Sequence, residues 1–313
     1  MKALHLPTTL ALLSLALPFG AGADQPPTKT GVEGAAQKEF SPYAARQFPT
    51  SVYWGDTHLH TEVSVDAGTM CTVGQEDALR FARGEQITTT HGLRARLSRP
   101  LDFLVVADHA EMYGLMPELK KGNRDILAQE KGKRWYDMLE SGDSETIFKA
   151  AMEIVVSLSK PDPPLTADAV VKKAWREYTA LADRYNEPGR FTALIGYEYT
   201  TQGGNNLHRN VIFRGDASVA NKTLPFSQFD SQNPEDLWRT LDAFQKETGA
   251  QVLAIPHNGN LSNGRMFSVN KFDGKTPYDR ELAALRASLE PIIEATQIKG
   301  DSEAHPMLSP NDE

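Results

Sequence analysis

The sequence predicts an α/β fold in which a parallel sheet rolls toward a barrel. Three observations carry that expectation. From Ser51 onward, short apolar runs alternate with segments of helical period, the order that βα units produce. Residues 103–107 form an unbroken apolar run, as strands buried on both faces do. Residues able to bind a metal follow the apolar runs at once, as expected where strand ends converge on one rim.

The elements follow in order. Residues 1–23 carry Lys2, an apolar stretch at 10–17 and the small-x-small site Ala21-Gly22-Ala23. This is the pattern of a secretory signal peptide cleaved after Ala23, and the stretch is too short to span a bilayer. The mature chain is therefore expected in the periplasm or secreted, with no membrane attachment. Residues 24–50 are rich in Pro, Gly, Thr and Lys without periodicity and read as a linker.

Residues 52–54 are expected as a strand, 75–83 as a helix with Ala78, Leu79 and Ala82 on one face, and 103–107 as a strand. Residues 111–165 hold amphipathic helices and charged turns and read as a helical insertion over one mouth of the fold. Trp135, Tyr136 and Met138 read as its packing. A helix at 167–184, strands at 191–195 and 210–213, and a helix at 234–248 with Asn233 as N-cap come next. A strand at 252–255, a helix at 278–289 and the start of one more strand at 291–294 complete a barrel over 51–300, leaving 301–313 as a tail.

Composition bounds the chemistry. The chain of 313 residues has a formal net charge of -8 and no basic cluster, so nucleic acid is not expected as a partner. A single cysteine, Cys71, excludes an intramolecular disulfide. Stability must come from a packed core, which a chain of this length can supply as one large domain.

In the segment Gly55-Asp56-Thr57-His58-Leu59-His60, residues i and i+2 of a strand face one side, so His58 and His60 can grip one ion. Asp66 follows, then Asp108 and His109, Glu198, and Pro256-His257; His208 precedes the strand at 210–213. Five of the eight histidines fall at such places. Neutral imidazole and carboxylate oxygen are natural ligands of zinc, manganese and iron. The candidate ligands are His58, His60, Asp66, His109, Glu198, His208 and His257. Asp108 and Arg209 are the candidate catalytic residues; Arg209 and Arg214 carry planar forks suited to an anionic group. Asp56 either orients a ligand His or bonds to backbone. Glu111 stands behind His109 or serves as a charge at a helix N-terminus. Neither a Gly-x-Ser-x-Gly elbow nor a phosphate-cradling glycine loop is present.

These residues resemble the polymerase-and-histidinol-phosphatase (PHP) superfamily. The resemblance rests on His58-Leu59-His60-Thr61 with Ser64 and Asp66, Ala107-Asp108-His109, Gly196-Tyr197-Glu198, His208, and Ile255-Pro256-His257-Asn258. More narrowly, Phe81-Ala82-Arg83-Gly84, the run from His208 to Arg214 and Gln297-Ile298-Lys299-Gly300 are similar to a secreted bacterial branch of unknown function. The resemblance implies a distorted (β/α)7 barrel holding two or three divalent ions, Zn, Mn or Fe. His58 and His60 would bind the first, Glu198 would bridge, Asp66 and His109 would bind the second, and His208 and His257 the third. It implies a secreted metal-dependent hydrolase of a small-molecule substrate, first of all an anionic phosphoester. An amide or ester hydrolase is the alternative, and a catalytically inactive metal-binding fragment the third possibility. The closing Asp-x-His motif of the superfamily has no counterpart, since His305 lies four residues after Asp301. The barrel is therefore expected to be incomplete at its C-terminal end.

Overall fold

The computed structural model of the chain describes residues 51–158, 165, 167–201, 205–298, 300–303 and 307. The expected signal peptide and linker lie outside these residues. The chain forms β1 (Gly55–Leu59), a 3-10 turn at Ala67–Thr69, α1 (Gln75–Ala82), a small hairpin of β2 (Ile87–Thr88) and β3 (Arg94–Ala95), and β4 (Phe103–Val106). Four helices follow: α2 (Leu115–Lys120), α3 (Arg124–Leu127), α4 (Glu130–Leu139) and α5 (Ser144–Ser157). Then come α6 (Asp168–Tyr185), β5 (Thr192–Tyr199), β6 (His208–Arg214), α7 (Ala217–Ala220), α8 (Pro234–Thr248) and β7 (Gln251–His257). Helix α9 (Arg280–Leu289) and a hairpin of β8 (Thr296–Gln297) and β9 (Gly300–Asp301) follow. Among the described residues, no helix is long and apolar enough to cross a membrane.

The main sheet has five strands in the order β1-β4-β5-β6-β7. Strands β1, β4 and β5 are parallel, but β6 runs antiparallel to both β5 and β7. This corrects the expectation of an all-parallel sheet. Residues 200–207 between β5 and β6 are too few for the crossover of a dozen or more residues that parallel neighbours require.

The sheet is strongly curled. Flat, with strands about 4.8 Å apart, β1 and β6 would stand about 14 Å from each other and β1 and β7 about 19 Å. Instead Asn210 of β6 donates its side-chain N–H to the Thr57 carbonyl of β1 at 3.0 Å. The rings of His58 and His257, from the two edge strands, lie 4.0 Å apart. The result is a half-barrel.

Alternation along the strands separates two faces. The convex face sends Leu104, Val106, Ile195, Tyr197, Val211 and Phe213 into the main core. Helices α1, α6 and α8 cover it with Leu79, Trp175, Tyr178, Trp238 and Leu241. The helices are built for that role: α8 buries Leu237, Trp238, Leu241 and Phe244 at helical spacing. Its N-cap is Asn233, as expected, accepting from the Glu235 N–H, and Gly249 at φ 71° ends it. The concave face carries Val105, Ala107, Ile212 and Ile255, with Leu194 and Leu253 beside them.

Helices α2 to α5 occupy the region read as an insertion. Their own core joins Met116, Leu119, Ile126, Trp135 and Ile154 to Val65, next to the loop that carries Asp66.

Two expected strands differ. Residues 52–54 precede β1 and are 71, 65 and 59 % exposed. Trp54 is held by bonds to Asp102, whose carboxylate accepts its N–H at 2.7 Å. At 291–294 no strand forms. Pro291 has no N–H to give, and the Glu294 N–H bonds the Pro256 carbonyl at 3.1 Å.

Candidate metal centre

The same alternation that builds the apolar concave face ends it in a polar rim. On β5 the sequence of inward positions is Leu194, Gly196, Glu198; on β7 it is Leu253, Ile255, His257. After β4 it runs Val105, Ala107, His109, and His109 bridges to Glu198 in parallel register. Because β6 is reversed, its first residue, His208, reaches this rim and pairs with His257. Gly196 is obligatory below Glu198: a Cβ there would stand 2.6 Å from both Val105 Cγ1 and the Val211 carbonyl oxygen.

Glu198 is the hub. Its Oε2 lies 2.7 Å from His60 Nε2 and 3.3 Å from His58 Nε2. Its Oε1 lies 2.7 Å from His208 Nδ1, 3.0 Å from His257 Nε2 and 3.6 Å from His109 Nδ1. Asp66 adds a second carboxylate, 3.1 Å from His60 Nδ1 and 3.5 Å from His109 Nε2. It is held there by Ser64 Oγ at 2.6 Å and the Ala67 N–H at 2.6 Å.

Charge is strained at this rim. Glu198 is 1 % exposed. Burial opposes its ionisation, but the surrounding imidazoles, His109 foremost, hold it well below the usual carboxylate range. Burial also opposes the charge of His58, yet hydrogen bonds to Glu198 and Glu294 outweigh it and lift its pKa to about 9. Burial pushes His257 down to about 4. Asp66 is desolvated too, but His109 and His60 keep it well below its ordinary value.

Partners behind the imidazoles fix their rings. Glu294 Oε2 lies 2.7 Å from His58 Nδ1, leaving Nε2 toward Glu198. Thr200 Oγ1 bonds His109 Nδ1. The buried Glu111 carboxylate accepts from the Gln228 N–H at 2.9 Å and the Thr200 N–H at 3.3 Å. Its pKa is pushed up to about 7 by burial. Sequence reasoning named Glu111 but missed Glu294 and Thr200. Glu294 carried a signal, since it follows the apolar run Pro291-Ile292-Ile293 as other ligand-type residues follow theirs. Thr200 carried none.

The seven candidate ligands, His58, His60, Asp66, His109, Glu198, His208 and His257, thus come together at one rim. The two candidate catalytic residues do not join them. The Asp108 carboxylate is fully buried and accepts from the Thr61 N–H at 2.6 Å, Thr61 Oγ1 at 2.9 Å and Gln75 Nε2 at 2.8 Å. It anchors the loop after β1 rather than facing the rim. Arg209 alternates to the opposite face of β6, where its Nε donates to Glu290 at 2.7 Å and its Nη1 to the Leu207 carbonyl at 2.8 Å. Arg214 is exposed and bonds Gln251 at the far end of β6. Asp56 takes the backbone role: its carboxylate accepts the His58 N–H at 2.7 Å.

The residues fit a divalent cation. Two triads, His58-Glu198-His257 and His60-His109-Glu198, each bring three ligand atoms within 4.8 Å of one another. Ligands about 2.0–2.2 Å from one ion stand at most about 4.4 Å apart, so small adjustments complete either site. Glu198 belongs to both triads and can bridge. His257 Nδ1 is buried without a hydrogen-bond partner, and a buried carboxylate faced only by imidazoles calls for a cation.

Comparison with curated proteins finds no match, and neither does comparison with solved structures. One family model, described as a protein of unknown function (DUF3604), matches residues 47–313, and the chain belongs to that family.

Proposed function

We propose that this protein is a secreted metal-dependent hydrolase of PHP type that cleaves phosphoester bonds in a small molecule. The observation that carries the proposal is Glu198, one buried carboxylate shared by two imidazole triads at the rim of a half-barrel. That donor set suits a pair of divalent ions, Zn, Mn or Fe. Bound there, such ions supply Lewis acidity and activate water at neutral pH.

The chain's own residues do the positioning. Glu198 would span the two sites with its two oxygens. His58 and His257 would hold one position, His60 and His109 the other, with Asp66 at its outer side. Glu294 and Thr200 fix the ring orientation of His58 and His109 through the nitrogens turned away from Glu198 Oε2 and Asp66 respectively. Asp66 stays ionised and so serves as a ligand rather than as a proton carrier. His208 lies within reach of Glu198 and would take part in a third position.

Elemental analysis of the purified protein, followed by a substrate panel with added manganese, zinc or iron, tests the proposal. The expected result is about two ions per chain and release of phosphate or a phosphomonoester, with bound metal lowered in His58→Ala. Unchanged stoichiometry in that variant, or cleavage of an amide with no phosphoester cleaved, would overturn it.

A further inference from the structure

Glu294 stands in the walls of two cavities. One, of about 480 Å³, is bordered by His58, His60 and Asp66 and extends along Thr296, Gln297 and Ile298. The other, of about 280 Å³, is bordered by His257 and extends along Met266, Phe267 and Ile293. His58 and His257 belong to the same triad, and their rings are 4.0 Å apart. The two cavities therefore meet at one reacting position, with room for a substituent on either side.

The cavities differ in character. The first presents a hydroxyl and an amide on its outer wall. The second presents a thioether, an aromatic ring and a branched aliphatic chain, and part of its wall is bare backbone. At Gly259 a Cβ would stand 2.6 Å from the Ser302 carbonyl oxygen, so no side chain can narrow the cavity there. Its volume accepts a group the size of an aromatic ring. Among the described residues, neither cavity is lined by lysine or arginine, whereas Asp56, Asp66, Glu294 and Glu303 line them. A dianionic monoester would bring two charges toward these carboxylates, and a monoanionic diester only one.

We infer that the substrate is a phosphodiester, with an apolar or aromatic arm seated against Met266, Phe267 and Ile293 and a more polar arm against Thr296 and Gln297. The inference rests on the metal-dependent hydrolase proposed above. In the reaction, the oxygen of water forms a bond to phosphorus. The bond from phosphorus to the departing arm's oxygen breaks with its electron pair, and the water proton ends on that oxygen. The products are a phosphomonoester and an alcohol.

The test uses the full chain loaded with Mn²⁺. Turnover of bis(4-nitrophenyl) phosphate is compared with that of 4-nitrophenyl phosphate, and calorimetry compares binding of diphenyl phosphate and phenyl phosphate. The diester is expected to win in kcat/KM by about tenfold or more, and in affinity likewise. Ile293→Trp, at a half-exposed position, should narrow the second cavity and weaken diphenyl phosphate about tenfold. Phenyl phosphate can still place its ring in the other cavity, so it should lose no more than about twofold. Phe267→Ala, also exposed, removes one wall and should weaken diphenyl phosphate about fivefold. Preference for the monoester, or equal losses for both ligands in both variants, would overturn the inference and leave the hydrolase standing. Metal-loaded protein that neither binds nor cleaves any phosphoester would sink the hydrolase itself, and the inference with it.

Discussion

Two glutamates show two ways of burying a carboxylate in one molecule. Glu198 and Glu290 have side chains 1 and 2 % exposed. Glu290 is closed off by permanent donors: Arg209 Nε at 2.7 Å, Arg286 Nε at 3.0 Å and Trp238 Nε1 at 2.7 Å. Burial opposes its charge, and Arg209 and Arg286 outweigh that, so its pKa is lowered. Glu198 has no guanidinium or ammonium beside it among the described residues, only imidazoles whose protons are negotiable. The first arrangement completes itself and ties β6 to α8 and to the end of α9. The second is complete only when a cation joins it, which separates a structural network from a functional one at equal depth.

The contrast can be broken by exchanging what each carboxylate does. The largest effect is expected in Glu198→Gln, which removes the shared bridge: both ions should be lost, a drop in affinity of about a thousandfold or more, read by elemental analysis against equal circular dichroism. Glu290→Ala should do the reverse. It strands two buried guanidinium groups and should cost about 3–5 kcal/mol in denaturant unfolding, with metal content unchanged. A smaller change is expected in Glu294→Gln, which loosens the His58 ring and should weaken metal affinity by about 10–100-fold in a chelator competition.

The smallest is a pH dependence of slope about tenfold per pH unit for each proton displaced. His58 has a pKa raised to about 9 without metal. Its proton stabilises the metal-free fold below the ordinary value of 6.5, and that contribution is lost as pH rises through about 9. A metal needs the deprotonated ring. Affinity should therefore rise with pH up to about 9, and metal uptake near neutrality should release protons, measured calorimetrically in buffers of different ionisation enthalpy. The Glu290 network should not respond in that window. A depressed carboxylate keeps its contribution until the pH falls through its lowered pKa.

Much of this rim was legible before any coordinates, because ligand-type residues sit immediately after apolar strands and strand periodicity carries them inward. His58, His109, Glu198 and His257 are of that kind. What could not be read was strand direction. His208 and Arg209 are adjacent in sequence, and local pattern alone does not say which faces the rim. Taking Arg209 as an anion-binding residue failed because its partner, Glu290, is 81 residues away. Asp108 misled for a related reason: an Asp beside a ligand His suggests chemistry, whereas its three donors come from Thr61 and Gln75. Residues 52–54 have strand-like composition, but the Asp102 carboxylate takes the Trp54 N–H and the ladder begins one residue later.

Strand β6 deserves a last consequence. His208 and Arg209 hang from its opposite faces, so both buried carboxylates depend on one alignment, the seven-residue pairing from His208↔His257 to Arg214↔Gln251. A slip of one residue would thread a guanidinium into the imidazole basin and an imidazole among the tryptophans. The strand works like a key cut on two edges: it cannot be turned in one lock without turning in the other, and an insertion within 208–214 would disable both together.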